Sequence, residues 1–242
     1  MNAERARREY LAERRARVRL RSETPGVIVA AFVGLDGIRD GWVAVYLGGG
    51  ADQRFAYGGS VTDLLAAPFD RAMIDMPIGL PERGYRQCDV DARKLVGARV
   101  FLGARQGIWN FKTLDEANTY YWKKEGAGRG VSMQLFCLRK KLQELNASSL
   151  PPRVLEAHPE VIFWRLAGRV LASKRTAEGR AERIRLLEEN GIKEVRHWLD
   201  QRHGTGIGSD DLIDACACAV AARDSTRRLP ATSPTEIGEI WY

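Results

Sequence analysis

The sequence has few of the residues that bind soft metals and no stretch suited to a membrane. It contains three histidines among its 242 residues, and its four cysteines lack the paired CxxC spacing of a zinc site. We therefore expect no zinc centre and reduced, buried thiols at Cys88, Cys137, Cys216 and Cys218. No apolar run is long enough to span a bilayer, and the N-terminus lacks the apolar core of a secretory signal. These absences predict a cytoplasmic protein.

The charge of the chain is positive and unevenly distributed. The net charge is +7 and the sequence pI is about 9.4, a balance that favours anionic partners such as nucleic acid or phosphates. Residues 1–26 hold eight arginines against four glutamates, so this segment carries +4 and the remainder only +3. We expect a basic N-terminal extension over residues 1–26, either a nucleic-acid arm or a solvated segment, and one domain over residues 27–242.

The clearest strand signal begins that domain. Residues 27–35 form an unbroken apolar run that ends on Asp36, and residues 37–41 turn the chain into a second apolar run, 42–47. An unbroken run indicates a strand that is covered on both faces, and the turn predicts a hairpin. Residues 52–57 predict a third antiparallel strand. Asp36 then lies where the buried part of the sheet opens to water, a suitable place for a catalytic carboxylate. Alternatively, Asp36 serves only to open the turn, as Asp often does before Gly.

A second apolar run ends on an acid in the same way. Residues 69–74 predict a strand that stops at Asp75, and Pro77 prevents a helix from starting at once. A short helix capped by Ser60 separates this strand from the third one. Because a helical crossover permits parallel pairing, we expect this strand to lie beside the first strand, with Asp75 and Asp36 at the same edge of the sheet.

Further acids follow near the C-terminal half of the chain. Glu156 ends a short predicted strand, and Pro159 can begin a helix. A final helix, capped by Ser209, has an almost wholly small and apolar body. Asp211 and Asp214 are three residues apart and share one face of it. Asp211 can simply complement the helix dipole, but Asp214 is flanked by apolar residues, where a carboxylate needs a partner.

The middle of the chain, residues 82–150, shows the weakest pattern. It mixes a glycine- and arginine-rich stretch, residues 97–110, with predicted helices over residues 114–124 and 132–145. We expect this segment to be a helical insertion over the open edge of the site.

The acids together indicate a metal site. Clustered carboxylates repel one another unless cations lie between them, and oxygen ligands without a histidine or cysteine cluster suit Mg²⁺ or Mn²⁺. Two such ions about 4 Å apart can activate water and stabilise the leaving oxygen of a phosphodiester. The expected enzyme is therefore a hydrolase, a Mg²⁺- or Mn²⁺-dependent nuclease that acts on DNA or RNA. The candidate catalytic acids are Asp36, Asp75, Glu156, Asp211 and Asp214.

The order of these features resembles the RNase H-like superfamily, and residues 211–217 (DLIDACA) look like the final-helix motif of RuvC-type Holliday junction resolvases. A closer resemblance is to the domain of unknown function family 429, described as predicted RNase H-like nucleases. It rests on motifs in chain order and extends to the closing EIWY, residues 239–242. The motifs are GLDG at 34–37, IDMPIGLP at 74–81, EAHPE at 156–160, SKRT at 173–176 and DDLIDA at 210–215.

The resemblance implies an α/β fold, an RNase H-like mixed five-stranded sheet with flanking helices, and a two-metal site. The implied metal ligands are Asp36, Glu156, Asp211 and Asp214, while Asp75 belongs to the motif of the closer family alone. His158 either orients a water or contacts a phosphate, or it is a structural residue at a helix start. Lys174 either neutralises a phosphate or is a solvated surface lysine.

Two other functions remain compatible with the sequence. Actin-like and sugar-kinase ATPases also begin with a strand, an Asp-Gly pair and a hairpin, but the chain is short for a two-lobed ATPase and has no second glycine-rich phosphate hairpin. A non-catalytic nucleic-acid-binding protein would use the basic N-terminus as its arm. The modest +3 on the rest of the chain weakens this third interpretation.

Overall fold

The computed structural model describes residues 30–48, 52–231 and 237–242. The predicted basic extension, residues 1–26, lies outside the described residues, so its role stays a prediction. The strands are β1 (Ala30–Ile38), β2 (Gly41–Gly48), β3 (Gln53–Gly58), β4 (Arg71–Ile74), β5 (Val154–Glu156), β6 (Arg228–Leu229) and β7 (Ile240–Trp241).

The described helices are mostly short. They are α1 (Val61–Leu64), α2 (Gln87–Val96), α3 (Leu114–Glu125), α4 (Met133–Cys137), α5 (Arg139–Ala147), α6 (Pro159–Ala167), α7 (Ala177–Glu189), α8 (Val195–Gln201) and α9 (Ser209–Asp224). Pro159 opens α6 as expected, because its fixed φ suits the first helical position. None of the described helices combines the length and the apolar character needed to cross a membrane.

Five strands form one mixed sheet in the order β3-β2-β1-β4-β5. The β1–β2 and β2–β3 pairs are antiparallel, and the β1–β4 and β4–β5 pairs are parallel. A second small sheet pairs β6 with β7. The predicted hairpin and the parallel placement of β4 beside β1 are confirmed. Five strands in this order, flanked by helices on both faces, constitute the predicted RNase H-like fold.

Each face of the sheet carries its own hydrophobic cluster. Val33 and Leu35 of β1 pack with residues of α1, α3, α4 and α5, whereas α2, α6, α7, α8 and α9 cover the other face. All residues from Leu212 to Ala222 of α9 are buried. A helix that is apolar all round is one that is covered on every side, so α9 lies sandwiched between the sheet and the outer helices.

Gly34 allows β1 and α9 to approach closely. A Cβ built on Gly34 would lie 2.1 Å from the carbonyl oxygen of Ala215 and 2.1 Å from the amide nitrogen of Ala219. Only a glycine on the strand, opposite small residues on the helix, fits this separation. The glycine before Asp36 and the alanine-rich body of α9 therefore together bring the acid-bearing strand and helix into contact.

Several local expectations were wrong. Asp36 does not end β1, which continues to Ile38 and pairs Asp36 with Val43. The helix expected over residues 132–145 is two helices, α4 and α5, and the cap residue of α9 is Gly208 rather than Ser209. All four cysteines are free as expected, but Cys137 is exposed, whereas the other three are buried. The assignment of residues 82–150 as an insertion stays a prediction.

Candidate metal centre

Three carboxylates, from β1, from the residue that follows β4 and from α9, meet on one face of the sheet. In the parallel register Leu35 pairs with Ile74, and the amide of Asp75 donates to the carbonyl of Leu35 over 2.9 Å. Asp36 and Asp75 thus occupy the next row together. Asp214 of α9 completes the group, and one carboxylate oxygen of each residue lies within 4.8 Å of the others.

The group opens into a cavity of about 380 Å³. All of the residues named as site candidates from the sequence line this cavity: Asp36, Asp75, Glu156, His158, Lys174, Asp211 and Asp214. Acids from distant parts of the chain are therefore brought to one place. They do not all have the same surroundings, and the differences separate ligand candidates from supporting residues.

The three clustered acids resist ionisation in the absence of a cation. Burial raises the pKa of Asp75 and of Asp214 to about 7, with the attraction of Lys174 opposing the rise and neighbouring carboxylates adding to it. Burial also raises the pKa of Asp36 well above its usual value, with added repulsion from Asp75 and Asp214. A buried site that disfavours three negative charges gains most from a bound divalent cation.

Lys174 and Asp214 form a close ion pair beside the three carboxylates. The Lys174 Nζ donates to Asp214 Oδ2 over 2.6 Å. Burial alone would lower the pKa of Lys174, but the attraction of Asp214 raises it above its usual value. The other oxygen, Asp214 Oδ1, is buried and accepts no hydrogen bond from any described residue. A buried acceptor without a donor is uncommon and calls for an explanation; a cation beside Asp36 and Asp75 would provide one.

Asp211 lies one turn before Asp214 but is placed differently. Its Oδ2 accepts a hydrogen bond of 3.1 Å from the Gly208 amide, which satisfies an otherwise free donor at the start of α9. The residue is partly exposed and is not in the group of close carboxylates. Its charge raises the pKa of Asp36. Asp211 therefore adds negative potential at the cavity mouth while capping the helix.

Glu156 is engaged by an arginine. Its partner in the β4 register is Ile74, one row before Asp75, and a one-residue offset moves a side chain to the other face of a sheet. Arg86 donates to both of its carboxylate oxygens, over 2.6 and 2.7 Å, and the Ile78 amide donates over 2.7 Å. Its metal-ligand role, implied by the family resemblance, stays a prediction.

Asp89 completes a buried charged triad with Arg86 and Glu156. Arg86 Nε donates to Asp89 Oδ2 over 3.0 Å, and Nη2 donates to Oδ1 over 2.5 Å. All three side chains are nearly inaccessible to solvent, so each charge depends on the others. The triad joins α2 to the end of β5 and to the loop after β4, and thereby fixes the loop that follows Asp75.

His158 lies in the same cavity with an uncommitted ring nitrogen. It precedes Pro159 at the start of α6 but makes no side-chain capping hydrogen bond. Its Nδ1 is buried and has no hydrogen-bond partner in the described part of the chain, and burial lowers the pKa of the imidazole. Burial therefore favours the neutral imidazole, which can orient a water.

The sequence did not reveal every residue of the site. Arg86, Asp89 and Phe101 also line the cavity, and all three belong to the segment with the weakest pattern. Arg86 lies 70 residues before its partner Glu156, and no local motif links the two. The one available signal was the pair of acids in the first half of α2, which a helix-dipole explanation accounts for equally well.

The donor set fits a hard divalent cation. It offers carboxylate oxygens, without cysteine or histidine in the close group, and Mg²⁺ and Mn²⁺ prefer oxygen ligands. The fold and the site together define an RNase H-like α/β protein with a buried acidic cluster that can hold metal ions.

Comparisons with known proteins place this chain in a family. Residues 34–235 match the model described as "Protein of unknown function (DUF429)", and the chain belongs to that family. The match spans every residue of the acidic cluster. Neither the search of curated proteins nor the search of solved structures found a significant match.

Proposed function

We propose that this protein is a metal-dependent nuclease that hydrolyses phosphodiester bonds. The observation that supports this proposal is the convergence of Asp36, Asp75 and Asp214 within 4.8 Å, although they lie on a strand, in the loop after another strand and on a helix. Buried like charges oppose folding unless something compensates for them. Bound Mg²⁺ or Mn²⁺ would provide that compensation, and would supply water activation and stabilisation of the leaving oxygen.

The protein's own residues have separate tasks in this proposal. Asp36, Asp75 and Asp214 hold the cations, and Asp211 adds negative potential beside them. Lys174, whose side chain is 39% exposed, attracts the substrate phosphate toward the cavity. His158 offers its free Nδ1 to orient the attacking water or to accept its proton. Glu156 and Arg86 keep the loop after Asp75 in place.

The direct test measures metal binding and cleavage in the same set of variants. Wild-type protein, freed of metal with EDTA, is titrated with Mn²⁺ by calorimetry and assayed on DNA and RNA oligonucleotides with Mg²⁺ or Mn²⁺. We expect Asp36→Asn and Asp214→Asn to abolish measurable Mn²⁺ binding and to lower kcat/KM at least about 100-fold. Asp210→Asn is the matched control, because Asp210 is on α9 but outside the close group; it should retain both properties.

The same assays separate the other functional classes. An ATPase would hydrolyse ATP without nucleic acid, and its Mn²⁺ affinity would rise with added nucleotide. A non-catalytic binding protein would retain oligonucleotides equally well in wild type and Asp36→Asn, with no cleavage in either. Cleavage that survives both Asp36→Asn and Asp214→Asn would contradict the proposal.

A further inference from the structure

A second groove begins where the carboxylate cavity ends. Phe101 lines both the cavity and this groove, which has a volume of about 590 Å³. Trp122 of α3 lies along it. The two rings are 38% and 48% exposed, although aromatic side chains of this size are mostly buried in folded proteins. Two exposed aromatic residues thus line a groove that meets the carboxylate cavity at Phe101.

The lining of the groove suits a polyanion. Among the described residues that line it there is no aspartate or glutamate, whereas Arg93 contributes a positive charge. Arg129 lies with its guanidinium 5.1 Å from the ring centre of Tyr85, and Tyr85 also lines the groove. The carboxylate cavity, by contrast, repels phosphates until cations occupy it. A nucleic acid chain can therefore bind in the groove without metal, whereas its phosphates can enter the cavity only when cations are bound there.

We propose that this groove binds the unpaired bases of a single-stranded nucleic acid whose backbone continues into the carboxylate cavity. Phe101 and Trp122 serve as stacking platforms, because every base presents a π-face to an aromatic ring. Paired bases in a duplex are already stacked on each other and cannot use these platforms. The inference rests on the proposed nuclease function for the identity of the cavity, and it narrows the substrate class to single strands of DNA or RNA.

The test measures binding rather than cleavage. Metal-free protein is titrated against fluorescein-labelled 12-nucleotide single strands of mixed sequence, one DNA and one RNA, and against the matching duplex, by fluorescence anisotropy at low salt. Stacking contributes enough per base that Phe101→Ala and Trp122→Ala should each weaken single-strand binding by about tenfold. Phe101→Trp should restore the affinity. Tyr120→Ala is the control, because Tyr120 is an exposed aromatic residue of α3 that does not line the groove.

Mn²⁺ titrations and melting curves of the same variants show whether the fold and the metal site are intact. Equal single-strand affinity in Phe101→Ala, Trp122→Ala and Tyr120→Ala would overturn the groove proposal, as would a duplex that binds as tightly as the single strand.

The two proposals can be contradicted independently of each other. If cleavage depends on Asp36 but single-strand binding does not change in Phe101→Ala and Trp122→Ala, the nuclease proposal holds and the groove proposal is wrong. If stacking variants weaken binding but Mn²⁺ supports no cleavage, the groove stands and the nuclease fails.

Discussion

At the scale of single residues, the central feature is a carboxylate that lowers the stability of the metal-free protein and provides a ligand for a cation. Asp75 has a pKa raised to about 7, first by burial and also by its acidic neighbours, so its ionised form is disfavoured in the metal-free protein. The neighbouring Asp36 and Asp214 share this property. A site of this kind lowers the stability of the metal-free protein and, in exchange, gains affinity for a metal ion.

The variant Asp75→Asn tests this exchange. Removing one like charge should raise the stability of the metal-free protein at pH 8 by about 1 kcal/mol or more, which corresponds to roughly 2–4 °C in Tm for a chain of this size. The same change should weaken Mn²⁺ binding at least about tenfold, because a cation ligand is lost. Thermal melting with EDTA and calorimetric titration with Mn²⁺ measure the two effects. Asp210→Asn should change neither, and a less stable, metal-binding Asp75→Asn protein would contradict the argument.

Glu156 gives a second prediction at the residue scale. Because Arg86 already engages both of its oxygens, we expect Glu156→Gln to lose stability but to keep Mn²⁺ affinity within about threefold. Arg86→Met should be the more damaging change, by about 3–5 kcal/mol, since it leaves two buried carboxylates without their cation. Urea unfolding gives the free energies. A selective loss of Mn²⁺ binding in Glu156→Gln would instead make Glu156 a ligand.

At the scale of elements, the contact between β1 and α9 decides whether the acids meet. Gly34→Ala should destabilise the fold by about 1–3 kcal/mol, because the new methyl group would collide with the backbone at Ala215 and Ala219. Gly37→Ala on the same strand is the matched control. There the methyl group would come closer than 3 Å only to Cδ and Cε of the flexible Lys141 side chain, which can move aside, and would make an ordinary contact of 3.6 Å with Met76. Urea unfolding of both variants should show the larger loss at Gly34, and equal losses would contradict this account.

The sequence predicted those elements whose signals are local. Two apolar runs that each end near an acid were sufficient to place Asp36 and Asp75 side by side, because parallel pairing followed from the intervening helix. Asp214 was recognisable as a carboxylate in an apolar helix body. The Arg86–Glu156 pair was not predictable, since its partners are 70 residues apart and the arginine precedes a helix without a distinctive pattern. The spacing of β1 and α9 likewise depends on a packing contact that periodicity does not encode.

At the scale of the whole molecule, the acidic cluster links stability, pH and metal. Asp75 and Asp214 ionise near pH 4 when unfolded but near pH 7 when folded, so the folded state binds more protons between these values. Stability of the metal-free protein should therefore fall as the pH rises from about 4 through 7. Mn²⁺ requires the ionised carboxylates, so the stabilisation that it provides should grow over the same interval.

Melting curves at pH 5 and pH 8, with EDTA or with Mn²⁺, test this linkage in wild type and in Asp75→Asn. The difference between the two proteins cancels the contributions of other titrating groups. We expect Mn²⁺ to raise the Tm of wild type by several degrees at pH 8 and by little at pH 5, because protons displace the cation at the lower pH. In Asp75→Asn the Mn²⁺ effect should be small at both values. An equal shift at pH 5 and pH 8 in wild type would mean that Mn²⁺ binds away from the buried carboxylates.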